Sequence, residues 1–220
     1  MTQITEFLMR VLDLGGAVVM VLLVISVLTL AVILYKLWQF QAARVGQHKK
    51  LLEAASHWDQ GRAAQAHAAQ KQSNSYLSPI LAMAMSSDDV PADRLRAECE
   101  VRFSKLESGM RFLDSVAQLA PLLGLFGTVL GMIEAFQALQ DAGSQVDPSI
   151  LAGGIWVALL TTAVGLAVAM PTALVLSWFE SRMEAERITA EQILLTILAP
   201  QGQGGGAEPA AQNATMPQNA

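Results

Sequence analysis

No charged residue lies between Asp114 and Glu134, and none lies between Asp147 and Glu180. These uncharged runs hold 19 and 32 residues. About 20 apolar residues suffice to cross the hydrocarbon of a bilayer. No water is available there, so each segment must satisfy its own backbone, which makes both runs helices. As a helix the longer run would measure about 48 Å. It therefore projects beyond the ~30 Å hydrocarbon on one side. A third run, residues 14–35, sits between Asp13 and Lys36 and has 22 uncharged residues. It reads as an uncleaved anchor: it is too apolar for too long to be a signal peptide, and no small-residue cleavage site precedes Lys36.

The composition agrees. The chain is 53% hydrophobic and 15% charged, with a mean hydropathy of +0.39, whereas soluble chains carry about 25% charged residues. A net charge of −5 argues against nucleic acid as a partner. With Cys99 alone, no intrachain disulfide can form.

The basic residues set an orientation. Arg10 precedes the first run; the other Lys and Arg residues lie between Lys36 and Arg111 or at Arg182 and Arg187. By the positive-inside rule the long connection and the C-terminus are cytoplasmic. The N-terminus and the turn between the second and third spans lie outside. The fold class is thus an all-α integral membrane protein with three transmembrane helices, the second and third extending into the cytoplasm.

Residues 37–111 read as helical. Gln39–Gln72 is rich in Ala, Gln, Lys and Glu, which suit helix. Ser73–Pro79 and Ser86–Pro91 are breaks, with Ser87 or Asp89 as a cap at the second. From Ala92, Leu95, Cys99, Phe103, Leu106, Met110 and Leu113 recur at helical spacing. This stripe predicts one long helix running into the second span. The third span is expected to continue to about Leu198, ahead of a disordered tail rich in Gly, Ala, Gln and Asn.

Small residues mark both later spans. Ala117, Ala120, Gly124, Gly127 and Gly131 are spaced by 3 and 4, with Gly127 and Gly131 forming a GxxxG. Gly154, Ala158, Thr161, Gly165 and Ala169 form a second seam. Such seams let helices approach closely, which is compatible with a pore wall. Thr128, Thr161 and Thr162 lie inside the spans. A threonine there commonly bonds its own helix four residues back. No Asp, Glu, Lys, Arg or His lies within any of the three uncharged runs, so a proton relay would need a carboxylate from another polypeptide. Pro121 and Pro171 are expected to kink their helices; Pro171 frees the carbonyl of Ala167.

Other constellations are weak. His48, His57 and His67 do not share a helical face, which discounts a metal site. Cys99 sits on an apolar stripe and reads as core. Asn213-Ala-Thr215 fits a glycosylation pattern that a cytoplasmic tail cannot use. With no phosphate loop or triad, the chain reads as a non-enzyme without cofactors.

The segments Ala120-Pro-Leu-Leu-Gly-Leu-Phe-Gly-Thr-Val-Leu-Gly131 and Ala158-Leu-Leu-Thr-Thr-Ala-Val-Gly-Leu166, with Pro171 after them, resemble the MotA/TolQ/ExbB proton-channel family, most closely its ExbB branch. The resemblance is strong over residues 95–195. It implies a homo-oligomeric ring, generally of five subunits, in the bacterial inner membrane. The ring would surround ExbD/TolR-type single-span partners that each carry a membrane aspartate. Proton flow would drive a TonB-type transducer that opens outer-membrane transporters, or a TolA-type transducer that maintains the envelope. It further implies that Thr128 and Thr162, with Thr161 beside them, line the proton path, and that membrane lipid surrounds the ring. The expected division is a periplasmic N-terminus over 1–13, spans at 14–36, 112–135 and 149–179, a cytoplasmic helical domain over 37–111, a periplasmic turn over 136–148, a cytoplasmic helix extension over 180–199 and a tail over 200–220.

One position departs from the family pattern. Relatives usually carry glutamate five residues before the second threonine, where this chain has Val157. Either the partner's aspartate suffices, or the chain is a variant with impaired flow, or it is a ring without conduction. A passive scaffold for membrane partners and a flagellar-type stator are the competing functions. Three spans and a short cytoplasmic insert count against the stator.

Overall fold

A computed structural model describes residues 2–86, 90–141 and 148–201. Ser87 and Asp89, residues 142–147 of the turn between the second and third spans, and the tail from residue 202 lie outside the described residues. Among the described residues there are seven helices: α1 Thr2–Ala42, α2 Lys49–Asp59, α3 Ala63–Lys71, α4 Ser78–Ser86, α5 Ala92–Glu107, α6 Met110–Asp141 and α7 Pro148–Leu198. Among the described residues, stretches of α1 (Gly16–Ala42), α6 and α7 (Leu151–Leu198) are long and apolar enough to cross a membrane.

The chain divides into two compact units, Met1–Ala42 with Ser104–Glu184 and Ala43–Phe103 with Ala185–Ala220. The first holds the three apolar helices. Its core joins Leu22 of α1, Val116 and Ala120 of α6, and Ala169 of α7, with Val18, Ile25, Leu123, Val164 and Val168 packed around them. The outward faces are apolar as well: Leu30, Leu34, Leu122, Leu125, Leu159 and Leu174 are all exposed. A helix apolar on every side belongs in lipid or against further protein.

The stripe from Leu95 to Leu113 is buried throughout, but it does not form one helix. α5 stops at Glu107 and α6 starts at Met110. Gly109 stands between them at φ +88°, a left-handed conformation that glycine adopts without cost. The apolar periodicity carries across the break, which is why the stripe alone predicts continuity. The stretch Gln39–Gln72 is likewise divided, at residues 43–48 and 60–62. α1 has its own interruption at Gly16 (φ 64°, ψ −168°). α7, by contrast, runs 51 residues through Pro171 without interruption.

The break at Gly109 is stabilised by α1. Lys36 is fully buried. Its Nζ donates to the Leu106 carbonyl and to Gln39 Oε1 at 2.8 Å, and lies 5.7 Å from the Phe40 ring centre. Gln39 Nε2 donates to the Lys105 carbonyl at 3.2 Å. The last carbonyls of a helix have no partner within it, and here two side chains of α1 take that role for α5. Lys36→Met keeps the apolar stem and removes the donor. It is expected to cost about 1–3 kcal/mol, read as a lower thermal midpoint of the protein in detergent; Lys36→Arg should lose less.

The second unit is built on α2, α3, α4, most of α5 and the end of α7. Leu51, Leu77, Leu81, Leu95 and Ile193 are buried within it. Trp58 Nε1 ties α2 to α7 through the Ile197 carbonyl at 3.2 Å.

Candidate functional site

α6 and α7 run antiparallel and touch along their small residues. Gly131 meets Ala158, Gly127 meets Thr161, Gly124 meets Thr161 and Thr162, and Ala120 meets Gly165. Glycine spacing of 3 and 4 places these positions on one face of α6. A β-carbon at Gly127 would lie 2.7 Å from Thr161 Oγ1, and one at Gly124 would lie 2.9 Å from the Thr161 carbonyl oxygen. The closeness of the two backbones therefore depends on missing side chains.

Two hydroxyls converge in this seam on a single carbonyl. Thr161 Oγ1 lies 3.1 Å from the Gly124 oxygen and 2.7 Å from the Ala158 oxygen, so its one proton is shared between the helices. Thr162 Oγ1 donates to the same Gly124 oxygen at 3.3 Å. Thr161 is buried, while Thr162 is half-buried at the edge of the seam. Thr128 is also half-buried. Its Oγ1 donates to Leu125 of its own helix at 2.6 Å. Among the described residues no hydrogen bond joins Thr128 to Thr161 or Thr162. Each of these hydroxyls donates to a carbonyl, which leaves oxygen lone pairs that can accept.

Val157, four residues before Thr161, is half-buried, and Trp156 beside it is exposed. α6 and α7 continue as helix past Pro121 and Pro171. Thr29 and Thr172, which the sequence reading passed over, are buried hydroxyls bonded four residues back, to Ile25 and Val168 at 2.7 Å each. Their pattern is the ordinary one for threonine in a membrane helix.

The second unit holds a buried polar cluster that spacing gave no reason to expect. Glu186 of α7, beyond the uncharged run, is 2% exposed. Its Oε2 accepts from Tyr76 OH at 2.6 Å and meets His48 Nε2 at 2.6 Å. His48 Nδ1 lies 3.0 Å from Ser75 Oγ. The Gly46 N–H also points at the carboxylate. Burial alone pushes the Glu186 carboxyl up, but the His48 and Tyr76 contacts and the Gly46 N–H together hold it below the ordinary carboxylate value. Burial and then the Glu186 carboxylate push the Tyr76 phenol well above its usual range. Around the cluster, Arg187 pairs with Glu100 at 2.8 Å and Arg102 donates to the Tyr76 carbonyl at 3.0 Å. Burial pushes the Cys99 thiol up to about 11, so near neutral pH it is a packed apolar group.

Three apolar helices, two of them pressed together along glycines with hydroxyls in the seam, define a polytopic helical membrane protein. The seam between α6 and α7 carries hydroxyls but no charged residue. The MotA/TolQ/ExbB proton channel family matches residues 63–192, more than half of the chain, and the chain belongs to that family. Its members are channel and energiser proteins, not enzymes. The chain is similar to the biopolymer transport protein exbB1 of Vibrio cholerae, at 45% identity over 30% of this chain and 29% of that one. It is similar to an ExbB-like biopolymer transport protein of Synechocystis, at 30% identity over 71% of this chain and 64% of that one. It is also similar to the Tol-Pal system protein TolQ of Haemophilus influenzae, at 41% identity over 36% of this chain and 35% of that one. Each match thus covers less than two thirds of the relative's length.

Proposed function

We propose that the chain is the ring-forming, proton-conducting subunit of an ExbB/TolQ-type energiser in a bacterial inner membrane. The observation that carries this reading is the seam itself: Thr161 and Thr162 meet on the Gly124 carbonyl, one turn from Thr128, in runs that hold no charged residue. A proton path along such a wall needs a carboxylate from a partner. Thr128 and Thr162, with Thr161 behind them, would meet that carboxyl with their hydroxyls: their free lone pairs accept from it when it is protonated, and a hydroxyl proton turned off its helix carbonyl donates to it when it is charged. The partner would be a single-span ExbD/TolR-type protein with a membrane aspartate, enclosed by about five copies of this chain. Force would pass to a TonB-type transducer; a TolA-type transducer is the alternative, since relatives of both branches match. Bends at Pro121 and Pro171 would add free carbonyls, those of Ala117 and Ala167, to the polar wall. With Val157 in place of a carboxylate, the partner's aspartate would carry the proton unaided. The N-terminus would be periplasmic, and residues 37–111 and the C-terminus cytoplasmic.

Thr128→Val and Thr162→Val test the reading, since valine keeps the shape and removes the hydroxyl. Loss of one hydrogen bond to a charged group is worth about 1.5–3 kcal/mol, so proton flux into liposomes holding the complex should fall about 10- to 100-fold. Ring size and the amount of co-purified partner should be unchanged. Unchanged flux would reject a proton path along the threonines. Loss of the partner instead would make the chain a scaffold.

A further inference from the structure

We propose that the second unit contains a binding site for a phosphate-bearing anion, and that its occupant is the headgroup of an anionic phospholipid. Between the turn that follows α1 and the turn that precedes α4 lies a cavity of about 380 Å³. Arg44, Lys49 and Lys50 line it, facing Ser73, Asn74 and Ser75, and no acidic residue is in its lining. The chain as a whole carries a net charge of −5, so three cations gathered round one hollow without a carboxylate run against its overall balance. Lys50 also pairs with Glu53 at 3.1 Å on the outer face of α2, which leaves Arg44 and Lys49 as the principal cations. Three cations beside serine and asparagine side chains are the donor set that a phosphate diester takes.

The walls are held before anything binds. Gly46 and Ser75 both line the cavity, and both belong to the buried cluster: the Gly46 N–H points at Glu186, and Ser75 Oγ meets His48 Nδ1 at 3.0 Å. A site whose loops are already fixed loses little conformational freedom on binding. Arg44 is itself held at φ 54°, an uncommon conformation for a residue with a side chain.

The choice of lipid over a soluble anion follows from the chain's course. Arg44 comes two residues after the end of α1 at Ala42. The last turns of α1 expose Tyr35 and Trp38, the side chains that settle at the headgroup level of a bilayer. Basic residues directly after such a belt meet anionic headgroups, each adding about 5-fold to their retention.

The test uses the full chain in detergent, given equal amounts of phosphatidylglycerol and phosphatidylcholine and read by native mass spectrometry. The wild type should retain phosphatidylglycerol preferentially. Arg44→Gln and Lys49→Gln should each reduce the preference about 5-fold, and Arg44→Gln/Lys49→Gln/Lys50→Gln should abolish it, with helical content unchanged. Arg62→Gln, an exposed cation outside the cavity, should leave it intact. A calorimetric titration with inorganic phosphate forms the second arm. Phosphate binding that the triple variant loses, with no lipid preference in the wild type, would support the anion site and overturn the lipid as occupant. A lipid preference that survives the triple variant, or the absence of both effects, would overturn the site.

Discussion

Glu186→Ala will lower the stability of the protein by about 2–6 kcal/mol, since two buried side chains lose their acceptor and each group left unsatisfied costs about 1–3 kcal/mol. The His48 and Tyr76 side chains both end on one oxygen of this carboxylate, at 2.6 Å each. Alanine leaves a buried imidazole and a buried phenol without their acceptor and opens a cavity between them. A fall of about 10 °C in the thermal midpoint is expected at neutral pH. The effect has a pH signature. The native carboxyl titrates below its ordinary value of 4.5. Its contribution is therefore complete above that value and is lost as the pH falls through the lower native one. The wild type will lose stability on acidification below about pH 4.5, while the alanine variant, already without this contribution, will show a flatter profile there. A midpoint for Glu186→Ala within about 1 °C of wild type, the scale of a neutral surface change, would reject the cluster as a stabilising element.

Gly165→Leu will separate α6 from α7. Even a β-carbon at this position would lie 2.6 Å from the Ala120 carbonyl oxygen and 3.1 Å from the Gly124 α-carbon. Backbone cannot rotate away as a side chain can, so the helices must part. A loss of about 3 kcal/mol or more is expected, together with loss of the Thr161 and Thr162 contacts to the Gly124 carbonyl. Gly153→Leu on the same helix provides the matched control, because a β-carbon there meets nothing within 4 Å. It should stay within about 0.5 kcal/mol of wild type. Equal losses in the two variants would mean that general helix propensity, and not the seam, sets the result.

The existence of the apolar helices was legible because charge is so sharply excluded from them. The bilayer leaves an uncharged run of 19 to 32 residues few alternatives to helix. The face shared by Ala120, Gly124, Gly127 and Gly131 was legible from spacing, since 3 and 4 describe one side of a helix. Which helix lies against that face is a tertiary fact. Gly109 shows the limit from the other side. An apolar stripe reports which residues are buried, not whether the backbone between them is continuous, and a single glycine at positive φ divides α5 from α6 without disturbing the stripe. The Glu186 cluster was invisible for a different reason. His48 and Glu186 are 138 positions apart, and only the folded chain brings them together; the spacing of the three histidines carries no information about that partner.

Lys36 has a consequence for the membrane around the protein. A lysine near the end of a membrane helix normally reaches for the headgroups, which lets the helix ride up or down as the bilayer thickens or thins. Here the ammonium is spent on the Leu106 carbonyl and the side chain has no exposed surface. The vertical position of α1 is thus set against the end of α5 by a protein contact, and lipid has no vote in it. When the two disagree in thickness, the bilayer must stretch or compress at the protein's edge, and the helices keep their level.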